Sequence, residues 1–155
     1  MPMWFWKKIQ KLPWKSCVKV AVAVITDAQQ RILITRRAPH APHGSMWEFP
    51  GGKLEHGELA SRALVREIKE EVNLDVLAYQ YLGEVRHTYQ HQEISLLIYH
   101  VYHFEGQAVC REAQIDMCWV ALENLEQFQF PPANIDIIAM IRQRLQPIIG
   151  LPAIS

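Results

Sequence analysis

Three glutamates in the middle of the chain, Glu67, Glu70 and Glu71, are related by three and four positions, so a helix crowds their side chains onto one ridge. In water such like-charge neighbours repel by a few tenths of a kcal/mol per pair. A fourth carboxylate, Glu58, lies within reach of the same helix, and pairing of Arg62 with Glu58 and of Arg66 with Glu70 at i+4 relieves part of the strain. Alone, a Glu-rich face is an ordinary solvated surface. It becomes favourable when a hard divalent cation takes the carboxylate oxygens, and Mg²⁺ commonly bridges one or two carboxylates to substrate phosphates. The chemistry that fits is therefore attack of a metal-activated water on a polyphosphate.

The elements that must position this ridge are readable around it. Ala60, Leu64, Ile68 and Val72 form an i, i+4 row, widened by Ala63 and Val65, which predicts a helix over 58–73 with one side packed on a core. Gly51-Gly52 precedes it, where the absence of side chains permits close approach to a ligand or metal. Residues 17–25 alternate Val18, Val20, Val22 and Val24 with Lys19, Ala21, Ala23 and Ile25, the pattern of a strand covered on both faces. A polar turn and an apolar run over 31–35 then predict a hairpin with that strand. Pro39, Pro42 and Gly44 mark a loop, and 47–49 is extended. Strands are predicted over 76–87, 93–104 and 115–120, with a short helix or turn over 122–128. After Pro131-Pro132, Asn134 stands where a helix N-cap is expected, and Ile135, Ile138, Ile141, Arg142 and Leu145 carry a helical stripe to Pro147. Strands mixed with two main helices give the class α+β, with a mixed sheet.

At 155 residues with no net formal charge, a sequence pI near 7.1 and half its residues apolar, the chain suits one domain and carries no broad footprint for duplex nucleic acid. Cys17, Cys110 and Cys118 are an odd, scattered set and read as reduced thiols of a cytoplasmic protein. The H-x-x-H pairs His40/His43 and His100/His103 lack the further ligands of a zinc site. No apolar run has the length of a membrane span. Residues 1–16, rich in Trp and Lys, form an extension suited to weak contact with an acidic membrane surface and lack the pattern of a signal peptide. Residues 17–147 are the expected domain and 148–155 a tail, with a monomer expected.

The run Gly52-x5-Glu58-x7-Arg66-Glu67-Ile68-x-Glu70-Glu71-x-Asn73-Leu74 resembles the Nudix box, whose pattern G-x5-E-x7-R-E-U-x-E-E-x-G-U has a bulky apolar residue at U. The single departure is Asn73 in place of Gly, at a helix end where a left-handed residue is expected and Asn is the next best tolerated. The resemblance implies an α/β/α sandwich, Mg²⁺ (or Mn²⁺) as cofactor, and metal binding by Glu67, Glu70 and Glu71 with the Gly51 carbonyl. It implies that Glu67 or a neighbouring carboxylate, Glu70 among them, orients or deprotonates the water while Arg66 supports the glutamates.

Outside the box, Ile34-Thr35-Arg36-Arg37, Trp47-Glu48-Phe49-Pro50-Gly51-Gly52-Lys53 and Phe130-Pro131-Pro132-Ala133-Asn134 resemble the MutT-type 8-oxo-dGTP diphosphatases, over about residues 17–145. By that resemblance Arg37 contacts the nucleotide, Phe49 lines the base pocket, Asn134 reads the oxidised guanine, and Glu112 reaches the metal from outside the box. An amide donates and accepts at once, which matches a base edge carrying O6 and an N7–H. The implied reaction is hydrolysis of 8-oxo-dGTP to 8-oxo-dGMP and pyrophosphate, clearing the damaged nucleotide from the pool. Two alternatives are a related pyrophosphohydrolase acting on CTP, 5-substituted dCTP or other (d)NTPs, and a Nudix module that binds nucleotide without cleaving it.

Overall fold

A computed structural model describes residues 17–111 and 114–145. The extension 1–16, Glu112 and the tail 148–155 lie outside the described residues. Seven strands and two α-helices follow in order: β1 (Cys17–Ile25), β2 (Ile32–Arg37), β3 (Trp47–Glu48), β4 (Gly51–Lys53), α1 (Ala60–Val72), β5 (Asp75–Tyr89), β6 (Gln92–Glu105), β7 (Gln114–Val120) and α2 (Pro132–Arg144), with a 3-10 helix over Leu122–Gln127 before α2. A four-stranded mixed sheet has the order β4-β1-β6-β5, in which β1 and β6 run parallel and the other pairs antiparallel. A three-stranded antiparallel sheet has the order β3-β2-β7.

β1 is the spine, and its alternation sorts the core into two layers. Val18, Val20, Val22 and Val24 pack in one cluster with Ile137, Ile141 and Leu145 at the α2 end of the chain. Ala21, Ala23 and Ile25 pack in the other with Ala63, Leu64, Ile68 and Val72 of α1. The sheet is thus held between the helices, an α/β/α sandwich as expected. The small side chains on the α1 side let that helix approach closely, and burying each of Leu64, Ile68 and Val72 contributes roughly 1.5–3 kcal/mol.

Four expectations are corrected. β1 and β2 do not form a hairpin ladder: they join different sheets and touch through the single bridge Thr26–Ile32, because β1 is already flanked by β4 and β6. Val65 is exposed and does not widen the buried face of α1, which widens instead on its other edge, through Glu67 and Glu71. In α2, Ile135 is exposed and the buried line is Asn134, Ile137 and Ile141. Asn134 is no cap: Pro131 holds that position and Pro132 opens the helix, where its missing N–H costs nothing. Asn73 does end α1 in the left-handed region (φ 60°), its N–H donating to the Lys69 carbonyl.

Candidate active site

Two glutamates of α1 point inward, and the sheet has made room for them. Glu67 and Glu71 are 1% and 0% exposed, whereas Glu70 stays at the rim with 45% of its side chain exposed. The cradle is β4. A Cβ built on Gly52 would lie 2.1 Å from the Glu67 carboxyl carbon, so only glycine leaves space for that carboxylate. The Gly51 N–H donates to Glu71 Oε2 at 3.0 Å. On the far side a Cβ on Gly51 would strike the Ala21 carbonyl at 2.2 Å, so β4 also needs glycine to lie this close to β1.

Arg66 ties the carboxylates together. Its Nη1 donates to Glu67 Oε1 at 2.8 Å and lies 3.3 Å from Glu70 Oε2. Its Nη2 and Nε donate to Glu58 at 2.8 and 2.9 Å, and Nη2 also reaches the Lys53 carbonyl. Glu58 therefore takes Arg66 and not Arg62: α1 starts only at Ala60, so Glu58 is not part of the helix and no i+4 relation holds. The Arg66 hydrogen bonds push the Glu58 carboxyl down to about 2. Glu71 moves the opposite way. Burial, then the charges of Glu48 and Glu67, push it up to about 8 against the pull of the Gly51 N–H.

Arg37, the last residue of β2, is buried as well. It is 2% exposed, with Nε donating to Glu48 Oε2 at 2.8 Å, Nη2 lying 2.7 Å from the same oxygen, and Nη1 donating to the Pro42 carbonyl at 2.7 Å. Sequence reasoning quoted Glu48 without giving it a role, yet it is fully buried and couples Arg37 to the carboxylates of α1. The available signal was strand alternation: a Glu between Trp47 and Phe49 must face away from both, toward Thr35, which it opposes across β2–β3.

Phe49 is buried and stacks on Phe130, with centroids 5.4 Å apart and planes at 18°, while Trp47 meets Phe128 edge-on. Asn134 lies 3% exposed in the first turn of α2, its own N–H donating to the Pro131 carbonyl. The structure thus brings Gly51, Arg66, Glu67, Glu70 and Glu71 into one wall. Phe49 and Asn134 belong to the α2 side of the sheet, and Glu112 lies outside the described residues.

Among the described residues no set of three His, Cys, Asp or Glu side chains is already gathered as a metal cage. Mg²⁺ does not require one, since it keeps several waters and uses one or two carboxylates. The donor set fits it: oxygen ligands only, a glycine cradle filled by one carboxylate, and a second carboxylate whose ionisation in the interior calls for a cation. Lys53, Leu54, Glu55, His56, Arg66, Glu67 and Glu70 line an open cleft of about 410 Å³ beside this wall. No described helix is long and apolar enough to cross a membrane.

Comparison with known proteins gives the family. Residues 21–140 match the family described as the NUDIX domain. The 8-oxo-dGTP diphosphatase of Escherichia coli (strain K12) is 34% identical over 126 residues, covering 81% of this chain and 97% of its own length. The CTP pyrophosphohydrolase of the same organism is 31% identical over 117 residues, covering 76% and 86%. A solved structure from a study of MutT from Aliivibrio salmonicida and Vibrio cholerae superposes with a TM-score of 0.71 at 33% identity, covering 83% of this chain and 99% of its own.

Proposed function

Because the chain belongs to the NUDIX domain family and is a hydrolase of phosphoric anhydrides, we propose that it converts 8-oxo-dGTP to 8-oxo-dGMP and pyrophosphate, as a monomer acting on the free nucleotide pool of the cytoplasm. The observation that carries the substrate choice is Asn134, an amide buried in the first turn of α2 and relieved of any capping duty. The reaction rests on the Glu67–Glu71 wall against Gly51-Gly52.

Glu67, Glu70 and Glu71, with the Gly51 carbonyl and Glu112, would hold Mg²⁺ or Mn²⁺, which when bound offsets phosphate charge and lowers the pKa of water. The chain's own groups do the rest. A carboxylate of the wall, Glu67 first, orients the attacking water and accepts its proton. Water adds to the β-phosphorus as the bond to the α-phosphate oxygen breaks, so the nucleoside monophosphate leaves with that oxygen. Arg66 keeps Glu67 and Glu70 from turning away. Asn134 donates to O6 and accepts from N7–H of the oxidised base. Ordinary dGTP has an acceptor at N7, so the buried amide would lose a partner at roughly 1–3 kcal/mol.

A second reading, preference for CTP or 5-substituted dCTP, is favoured by one observation, the similarity to a CTP pyrophosphohydrolase. One experiment separates them. Purified protein with Mg²⁺ is assayed for pyrophosphate release from 8-oxo-dGTP, dGTP, CTP and dCTP. Highest kcat/KM on 8-oxo-dGTP is expected; faster release from CTP or dCTP overturns the base assignment and leaves the hydrolase in place.

A further inference from the structure

The ladder between β2 and β7 breaks at one place. Arg36 opposes Asp116, and an unbroken register would then set Ile115 opposite Arg37, but a bulge sets Gln114 there. The consequence runs against stability on both counts. Ile115 is left 52% exposed, while Gln114 is 8% exposed with neither amide atom hydrogen-bonded or accessible. Burying an unpartnered amide and exposing an isoleucine both cost free energy, and a straight ladder would have avoided both. Thr35, on the same face two residues before Arg37, has its buried hydroxyl likewise without a partner. Strand pairings place Thr35, Arg37, Glu48 and Gln114 together on the face of the three-stranded sheet that continues Leu33 into the α1-side core.

We propose that Gln114 is a substrate-binding residue whose carboxamide donates to and accepts from the 3′-hydroxyl of the nucleotide sugar. The proposal rests on the nucleotide reading above. A phosphate is the wrong partner: it accepts only, and would leave the amide oxygen unmet. The base is the wrong partner by position, because Asn134 and Phe49 belong to the α2-side layer of the core and Gln114 faces the other. The deoxyribose 3′-hydroxyl is the one group on that sugar that can both donate and accept. Both amide atoms are sealed from solvent in the free protein, so nucleotide binding must uncover them, and the hydrogen bonds then form away from bulk water, where they discriminate most.

The test is a binding cycle read by calorimetry. Wild type and Gln114→Met, which keeps length and loses both hydrogen-bonding atoms, are titrated with 8-oxo-dGMP, with its 3′-deoxy analogue, and with pyrophosphate. About tenfold weaker nucleotide binding is expected in Gln114→Met, a similar loss in wild type with the 3′-deoxy analogue, and no further loss when both changes are combined. Pyrophosphate affinity and melting temperature should hold or rise. Equal nucleotide affinity in Gln114→Met means that the amide holds an internal water only, and overturns the proposal; so does additive loss in the cycle. Should the variant fail to fold, wild type alone decides, since undiminished binding of the 3′-deoxy analogue also overturns it. If CTP proves to be the substrate, the cycle is run on CMP and 3′-deoxy-CMP. Coupling there leaves Gln114 standing while the base assignment falls; if no nucleotide binds, both fall.

Discussion

The two helices that flank the central sheet are each thirteen residues long, and each buries polar groups, but they do so at very different cost. α1 buries two carboxylates, and needs a glycine-free-of-side-chain cradle, a backbone N–H and the Arg66 guanidinium to hold them. α2 buries one neutral amide at a position its own first turn supplies, with an aromatic pair in the same core cluster. Charge in an interior is costly unless something compensates it, whereas an amide needs only a partner. The first helix is therefore built for a cation and the reaction, and the second for choosing what is cleaved. The difference predicts that changes in α1 act on rate and on pH dependence, and that changes in α2 act on selectivity.

The largest effect should come from Glu71→Gln, which keeps shape and removes a fully buried ionisable carboxyl. Pyrophosphate release with Mg²⁺ should fall on the order of 10²–10³-fold. Stability should move the other way. The folded carboxyl sits at about 8 against an ordinary 4.5, so the stability associated with its neutral form is complete below 4.5 and is lost as pH rises through 8. In chelator the wild type should lose a few kcal/mol over that window relative to Glu71→Gln, and Mg²⁺ should restore it. Parallel pH–stability curves for the two proteins would break the contrast between the helices.

Gly52→Ala tests the same helix without touching a charge. The added Cβ lands on the Glu67 carboxylate, which must swing away. A loss of about 10²-fold in kcat is expected, since small misplacements of reacting groups carry penalties of that size. Activity near wild type would show that Glu67 has no fixed place in the reaction.

What could be read from the sequence follows the same division. In α1 the helical period, the glutamate spacing and the Gly51-Gly52 entry all pointed to one arrangement, and the structure matches it apart from Val65 and the expected Arg62–Glu58 pairing. In α2 the run Ile135-Asp136-Ile137-Ile138-Ala139-Met140-Ile141 offers apolar residues in several phases, so periodicity could not select the buried line, and tertiary packing did. The β1–β2 hairpin failed for a similar reason: the choice of sheet was decided by the parallel pairing of β1 with the distant β6, about which the local sequence is silent. Glu48 and Gln114 show the limit on single residues. Strand alternation gives the face the first takes but not that this face is covered, and burial of the second depends on a bulge no periodicity announces.

Asn134→Ala should change the ratio of kcat/KM for 8-oxo-dGTP over dGTP by roughly tenfold, with kcat for dGTP little altered. This is the test of α2 as the selecting helix. Because Pro131 and not Asn134 caps α2, no cap is lost. A drop in stability of about 1 kcal/mol with the ratio intact would instead assign Asn134 to the helix end.

The smallest effect concerns the end of α1. Asn73 occupies φ 60° and ψ 31°, a left-handed conformation that costs a side-chain-bearing residue more than glycine. Its N–H closes the last turn on the Lys69 carbonyl, and just beyond it Val109 and Arg111 donate to the carbonyls of Val72 and Glu71. The carbonyls of Lys69, Glu71 and Val72 at the end of α1 are thus satisfied by backbone, without the Asn73 side chain. Asn73→Gly should accordingly raise stability by about 0.5 kcal/mol, visible as a small rise in melting temperature, with kcat and selectivity unchanged. A loss of activity would mean that the Asn73 side chain helps to set Glu71, two residues earlier, and that the reaction of α1 reaches past its last turn.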